Sequence, residues 1–361
     1  NTDFAETEAD DRQVNLTRFP LFFPEKRTFF LEGAGIFEAA GLGSANSDLL
    51  PFYSRRIGLY RGEEVPILAG LKASGRVDRW NVGLLDVETG RTDDLDIDRQ
   101  NLLAARVSRN LFRQSFVGGY LTHGNPSGAG GNTLADIDAR LATSAFRGGE
   151  NLSLDLYAFV TDDEASGRKG HAWGGKLDYP NDLWDVALSF KEIDADFRPA
   201  LGFVSRTGIR KANAKADFMP RPGRAGIRQL FFEASTQYVA DLDGRTLDWM
   251  VIASPPGFET ESGDGLRLEW VPQFERLDEP FEIQDGILIP AGDYHYTAWI
   301  VELETAERRR WVAGLEARWG SFYDGDLTRL GARLALKPSP HLLLSAEARG
   351  VIERIIAGPG L

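Results

Sequence analysis

Large apolar and ionised residues alternate one for one over long stretches of this chain. In Leu266–Phe274, Leu266, Leu268, Trp270 and Phe274 fall on one side of an extended backbone, and Arg267, Glu269 and Gln273 on the other. Trp311–Trp319 repeats the pattern, with Trp311, Ala313, Leu315, Ala317 and Trp319 opposed to Glu316 and Arg318. It returns at Leu330–Leu336 and Ile137–Leu141. Strands of soluble sandwiches average only about 5–6 residues. Here the alternation runs to about 10, the length that crosses a bilayer at a tilt. An apolar outside and a charged inside predict an all-β, antiparallel transmembrane barrel of about 16–18 or more strands.

Beyond Pro51 the chain reads as strands bounded by turn residues. A first candidate is Phe52–Tyr60. Others begin near Ile67, Trp80, Leu102, Ser115, Thr133, Leu152, His171, Leu183, Gly208, Arg228, Thr246, Gly265, Asp293, Arg310, Leu327 and His341. No useful helix separates them, so the connections are antiparallel. Short ones, such as Arg76–Arg79, Asn110–Gln114 and Pro180–Asp182, alternate with long ones, such as Gly90–Arg99, Gly124–Asn132 and Ile193–Thr207. Outer-membrane barrels have short periplasmic turns and longer external loops. On that rule Phe52–Tyr60 ascends and the N-terminal segment lies on the periplasmic side. The C-terminal stretch Ala357–Leu361 lacks an aromatic-ended final strand, and the candidates number about seventeen, an odd count. The expectation is a chain that needs further strands or another subunit to close.

Residues 1–50 differ from the barrel-like region 51–361. An acidic opening, Asn1–Asp11, precedes Phe19–Gly33, which has neither the helical nor the strand period and is broken by Pro20 and Pro24. Phenylalanines in such a segment need cover, and the barrel lumen would supply it. The segment therefore reads as a plug, with Phe19, Phe22, Phe23, Glu25, Lys26, Arg27, Phe29, Phe30 and Glu32, joined by Arg55 and Arg56, as its candidate residues. Buried charges need partners. The expected partners are on the lumen wall, at Asp136, Asp138, Arg140, Arg267, Glu269, Glu316, Arg318 and Arg333.

Composition narrows the function classes. The 361 residues carry 41 Lys and Arg against 54 Asp and Glu, a net charge of −13. That disfavours nucleic acid, whose phosphates call for clustered bases. Cysteine is absent, which excludes disulfides, thiolate metal sites and Cys nucleophiles. His123, His171, His295 and His341 are scattered without metal or triad spacing. Asp241–Gly244 and Asp324–Asp326 begin like calcium loops but lack the later ligands. No metal, cofactor or catalytic constellation is legible. Paired acids such as Glu259 and Glu261 leave open a barrel-borne hydrolase acting on glycan or lipid. Trp80, Trp173, Trp184, Trp299, Trp311 and Trp319 suit interfacial girdles better than sugar platforms. The reading is a plugged or gated channel, or the membrane anchor or scaffold of an envelope assembly, in the bacterial outer membrane. Its partners would be outer-membrane lipid and lipopolysaccharide, with further envelope subunits or a saccharide as additional candidates.

Several blocks are similar to one family. Val14–Thr17, Phe23–Arg27, Phe29–Gly33 and Pro51–Gly58 resemble the start of an outer-membrane barrel family of unknown function that usually follows a carbohydrate-binding family-nine-like domain. Leu201–Gly208, Gly292–Tyr294, Phe322–Asp326 and Lys337–Pro340 extend the resemblance along the chain. The family usually has Pro where Thr28 stands. The resemblance implies an outer-membrane barrel and supplies no catalytic residues.

Overall fold

A computed structural model describes residues 18–42, 48–284, 286–339 and 342–354. The acidic opening Asn1–Asp11, the Val14–Thr17 block, His341 and the Ala357–Leu361 end lie outside these residues. The architecture is all-β. Sixteen strands form one antiparallel sheet: β1 (Ile67–Val77), β2 (Trp80–Thr89), β3 (Gln100–Leu111), β4 (Ser115–His123), β5 (Asn132–Phe146), β6 (Glu150–Asp163), β7 (Arg168–Pro180), β8 (Trp184–Ile193), β9 (Ile209–Phe218), β10 (Ile227–Asp241), β11 (Thr246–Thr260), β12 (Gly265–Leu277), β13 (Gly292–Glu304), β14 (Trp311–Phe322), β15 (Gly325–Ser339) and β16 (Leu342–Arg354). Strand order follows chain order, so every neighbour is a hairpin partner. Among the described residues, β1 and β16 stand at the two ends of that order. The strands run from 9 to 15 residues, well above the mean of about 5–6 for globular proteins. No helix among the described residues is long and apolar enough to cross a membrane.

The chain divides into two compact units, Asn1–Leu177 with Ser189–Arg210, and Asp178–Leu188 with Lys211–Leu361. In the first unit the period-two pattern separates two faces. Ile137, Leu141, Leu156 and Val160 are exposed on one. Asp138, Asp155, Tyr157 and Phe159 are buried on the other, where Asp138 accepts the Ala40 backbone N–H and Phe159 packs against Phe197. In the second unit Trp270 pairs with Trp299, and Trp299 with Trp319, in an apolar ladder across three strands. Leu303 and Leu315, then Ala313 and Leu334, continue that face. The opposite face pairs Arg267 with Glu302, Glu302 with Glu316, and Arg333 with Glu347. Phe274 lies on the ladder face but is only 6% exposed, because Trp249 and His295 flank it in register and Arg276 covers its ring.

Phe52–Tyr60 is not a strand of the sheet, although the sixteen sheet strands of the described residues fall within the expected 16–18. Ser54–Arg56 coil into a 3-10 turn, and Leu59–Tyr60 form only a two-residue ladder with Glu63–Glu64. The backbone there is claimed by other partners: Arg27 takes the carbonyls of Ser54 and Ile57. This also corrects the expected end of entry. Leu49–Leu50 pairs with Phe203–Val204, inside the long connection from β8 to β9. The stretch that follows the N-terminal segment therefore meets the first unit at its long-connection end.

Candidate functional site: an N-terminal segment seated on the sheet

Phe19–Gly33 has no period because it is shaped by turns. Thr28–Leu31 makes one helical turn, and Gly33, at φ 65°, reverses the chain into the 3-10 turn Ala34–Phe37. Glu25 and Arg27 clip this fold together. The Arg27 guanidinium donates to Glu25 through Nε and Nη2 at 2.9 and 2.8 Å, and to the Ile57 carbonyl at 2.7 Å. Ser54 donates its hydroxyl to Glu25 at 2.6 Å, and the Phe30 ring stacks 4.2 Å from the guanidinium. Burial works to raise the Glu25 carboxyl, but the Arg27 hydrogen bonds and charge, with the Ser54 hydroxyl, outweigh it and hold it below the usual carboxylate range. Glu25 and Arg27 thus neutralise each other, rather than reaching the wall charges expected from sequence. The reason is proximity: two residues apart across a turn, they meet without any rearrangement of the wall.

Of the aromatic candidates Phe30 is buried and Phe19, Phe22, Phe23 and Phe29 are half-buried. Phe22 packs against Tyr53 and Phe203 with centroids at 5.2 and 5.4 Å. Phe29 and Phe30 meet edge to face, and Arg206 lies over Phe19. Phe23 lies under Arg55, and its carbonyl accepts the Tyr53 hydroxyl. Arg55 also donates to the Pro24 carbonyl, and Arg56 to that of Gly202. Lys26 is half-buried, while the Glu32 side chain is exposed.

The seat is built from residues that the pattern alone did not single out. Lys72 on β1 donates to the carbonyls of Phe29, Phe30 and Glu32, gathering the end of the helical turn. Phe37 and Phe52 pack on Tyr120 of β4. Arg106 on β3 and Asp138 on β5 form a bidentate ion pair, both bonds 2.8 Å, with side chains 2% and 0% exposed. Asp138 also accepts the Ala40 backbone N–H at 2.7 Å, tying segment to sheet. Gly118 on β4 lies between them: a Cβ there would stand 2.7 Å from Asp138 Oδ1 and 3.0 Å from Arg106 Nη2. Gly83 on β2 makes room in the same way for Ile36 and Phe37. Lys191 on β8 binds Asp48.

The wall candidates fall into two groups, one in each unit. Asp136, Asp138 and Arg140 share the face that bears the segment. Arg140 Nε lies 3.7 Å from Asp155, whereas both Asp136 oxygens are buried without a hydrogen-bond partner, as is the Tyr120 hydroxyl beside them in register. Arg267, Glu269, Glu316, Arg318 and Arg333 share the charged face of the second unit. Arg267 covers the Phe231 ring, and Arg333 binds Glu307 at 2.8 Å. A turn of this unit is braced by Asp264, which accepts from Arg309, Ser262 and the Ala306 N–H. Those bonds, Arg309 first, hold its carboxyl well below the usual range. Among the described residues no group of three or more His, Asp or Glu side chains is placed to hold a metal ion.

The signal for Arg106 was present in Leu102–Ser108, where Leu102, Ala104, Arg106 and Ser108 share one side. Its small neighbours leave space above the sheet for the segment. Lys72, in a stretch of Ala, Gly and Ser, carries no such signal.

Comparison with known proteins adds two findings. A model described as a domain of unknown function (DUF5916) matches residues 2–93, which include the seated segment and the first two strands. Among solved structures, the CymD monoaromatic hydrocarbon channel is similar over 81% of this chain and 78% of its own, with 13% identity and a TM-score of 0.22. A search of curated proteins gave no match.

Proposed function

We propose that this chain forms the wall of a bacterial outer-membrane β-barrel whose passage is obstructed by its own N-terminal segment, a plugged channel. One observation carries the reading: strands long enough to span a bilayer separate exposed Trp and Leu side chains from charged ones, and in the first unit the segment is seated on the face that holds Arg106 and Asp138. Exposed apolar faces of this extent are stable in lipid and unstable in water. Backbone groups in hydrocarbon must all be paired, which hairpins joined edge to edge achieve when the sheet closes. Lipid, and lipopolysaccharide in the outer leaflet, would be the partners of the apolar face. Residues 19–33 would then set permeability, because their rings and the Glu25–Arg27 clip occupy the polar side of the wall.

The test is deletion of residues 19–33 in the full protein, reconstituted in planar bilayers. The expected result is a rise in single-channel conductance and, in cells, sensitivity to large antibiotics. Insertion with unchanged conductance would overturn the plug reading and favour a brace or docking role for the segment.

A further inference from the structure

We infer that the N-terminal segment holds a binding pocket for a small apolar molecule of single-ring size. The inference does not depend on the channel reading.

A cavity of about 170 Å³ lies within the first unit, among Phe22, Phe30, Phe37, Leu42, Leu50 and Phe52. It is walled almost wholly by the segment and by the stretch after it, not by the strands. Pro24, Leu31 and Glu38 of its lining are exposed. Well-packed cores leave few voids larger than a water molecule. A void of this size therefore forgoes contacts that a ligand would restore.

The chemistry of the lining decides between water and an apolar guest. A buried water needs two to four polar partners. The polar side chains of the lining are Glu25, Glu38, Tyr53 and Ser54: Glu25 and Ser54 are bonded to each other and, through Glu25, to Arg27, the Tyr53 hydroxyl donates to the Phe23 carbonyl, and Glu38 is exposed. None of the buried, unpartnered polar atoms of the described residues belongs to the lining. The rest of the lining is rings and aliphatic carbons, which bind through area and shape. Apolar cavities of about 150 Å³ stay dry and accept benzene or xenon. The size here sets the same limit: one aromatic ring or a short alkyl chain fits, and two fused rings do not.

The test is photolabelling of the full-length protein in detergent with phenyl azide, followed by peptide mass spectrometry. Adducts are expected in peptides covering residues 22–54. Saturating benzene should reduce them about tenfold. Labelling of the detergent-facing Trp311–Trp319 stretch should be insensitive to benzene. Ala34→Phe, which places a ring in the cavity, should abolish the competable adducts; Leu42→Trp serves if that variant does not fold. A naphthyl azide should not label the segment. Adducts at residues 22–54 that persist under benzene, or in both variants, would overturn the pocket, as would their absence. Channel conductance plays no part in the readout, so the two readings fail separately.

Discussion

Arg106 and Asp138 are the strongest test of how single residues hold this architecture. Both are buried, and they meet in a bidentate ion pair on the face that bears the segment. Removing one member strands a charge, at a cost of about 3–5 kcal/mol, whereas replacing both with apolar groups is often near neutral. Arg106→Met should therefore lower stability by that amount in denaturant unfolding, and Arg106→Met with Asp138→Leu should recover most of it. Equal losses in the single and double variants would show that the pair is not coupled. Glu25 gives a second test. Its folded value is depressed, so its contribution is present above the ordinary value of 4.5 and is lost as pH falls through the lowered one. The melting-temperature gap between wild type and Glu25→Gln should be large at neutral pH and shrink below about pH 4. A gap independent of pH would contradict the clip. At this scale the sequence was partly legible. Alternation placed Asp136, Asp138 and Arg140 on one face. It was silent on Arg106 as the partner of Asp138, because pairing across strands depends on register, which alternation leaves free. It also missed the local Glu25–Arg27 pair, since a turn brings together residues that an extended reading holds apart.

Sixteen sheet strands start within a few residues of the positions where alternation resumes after a turn signal. They were legible because each strand must satisfy two different surroundings, one per face, over 9 residues or more. Phe52–Tyr60 failed for the same reason in reverse. The Ser54 and Ile57 carbonyls serve Arg27, and local hydrogen bonds win over extension. The long connections at 90–99, 124–131 and 194–208 were legible, but the expected long connection Thr161–Lys169 is only residues 164–167, and the end at which the segment enters was not legible, because it followed from that mistaken strand. The element-scale prediction concerns the apolar face. Leu315 on β14 is 43% exposed and pairs with Leu303. In lipid, Leu315→Arg should cost about 2–4 kcal/mol at mid-depth and reduce membrane-inserted yield. Glu316→Arg, one residue on and facing the other way, should insert normally. Equal yields for the two variants would contradict the facing.

For the whole molecule, the central claim is that one side of the sheet faces lipid and the other faces water and the seated segment. The absence of native cysteine makes this directly measurable. Single cysteines at each position from 313 to 318, spin-labelled in lipid bilayers, report access to oxygen and to an aqueous nickel chelate. The account predicts strict alternation: Ala313, Leu315 and Ala317 open to oxygen and closed to nickel, and Gly314, Glu316 and Arg318 the reverse. Nickel access on both sides would mean a sheet in water, and oxygen access at the charged positions would mean the faces are assigned backwards. Either result contradicts the account.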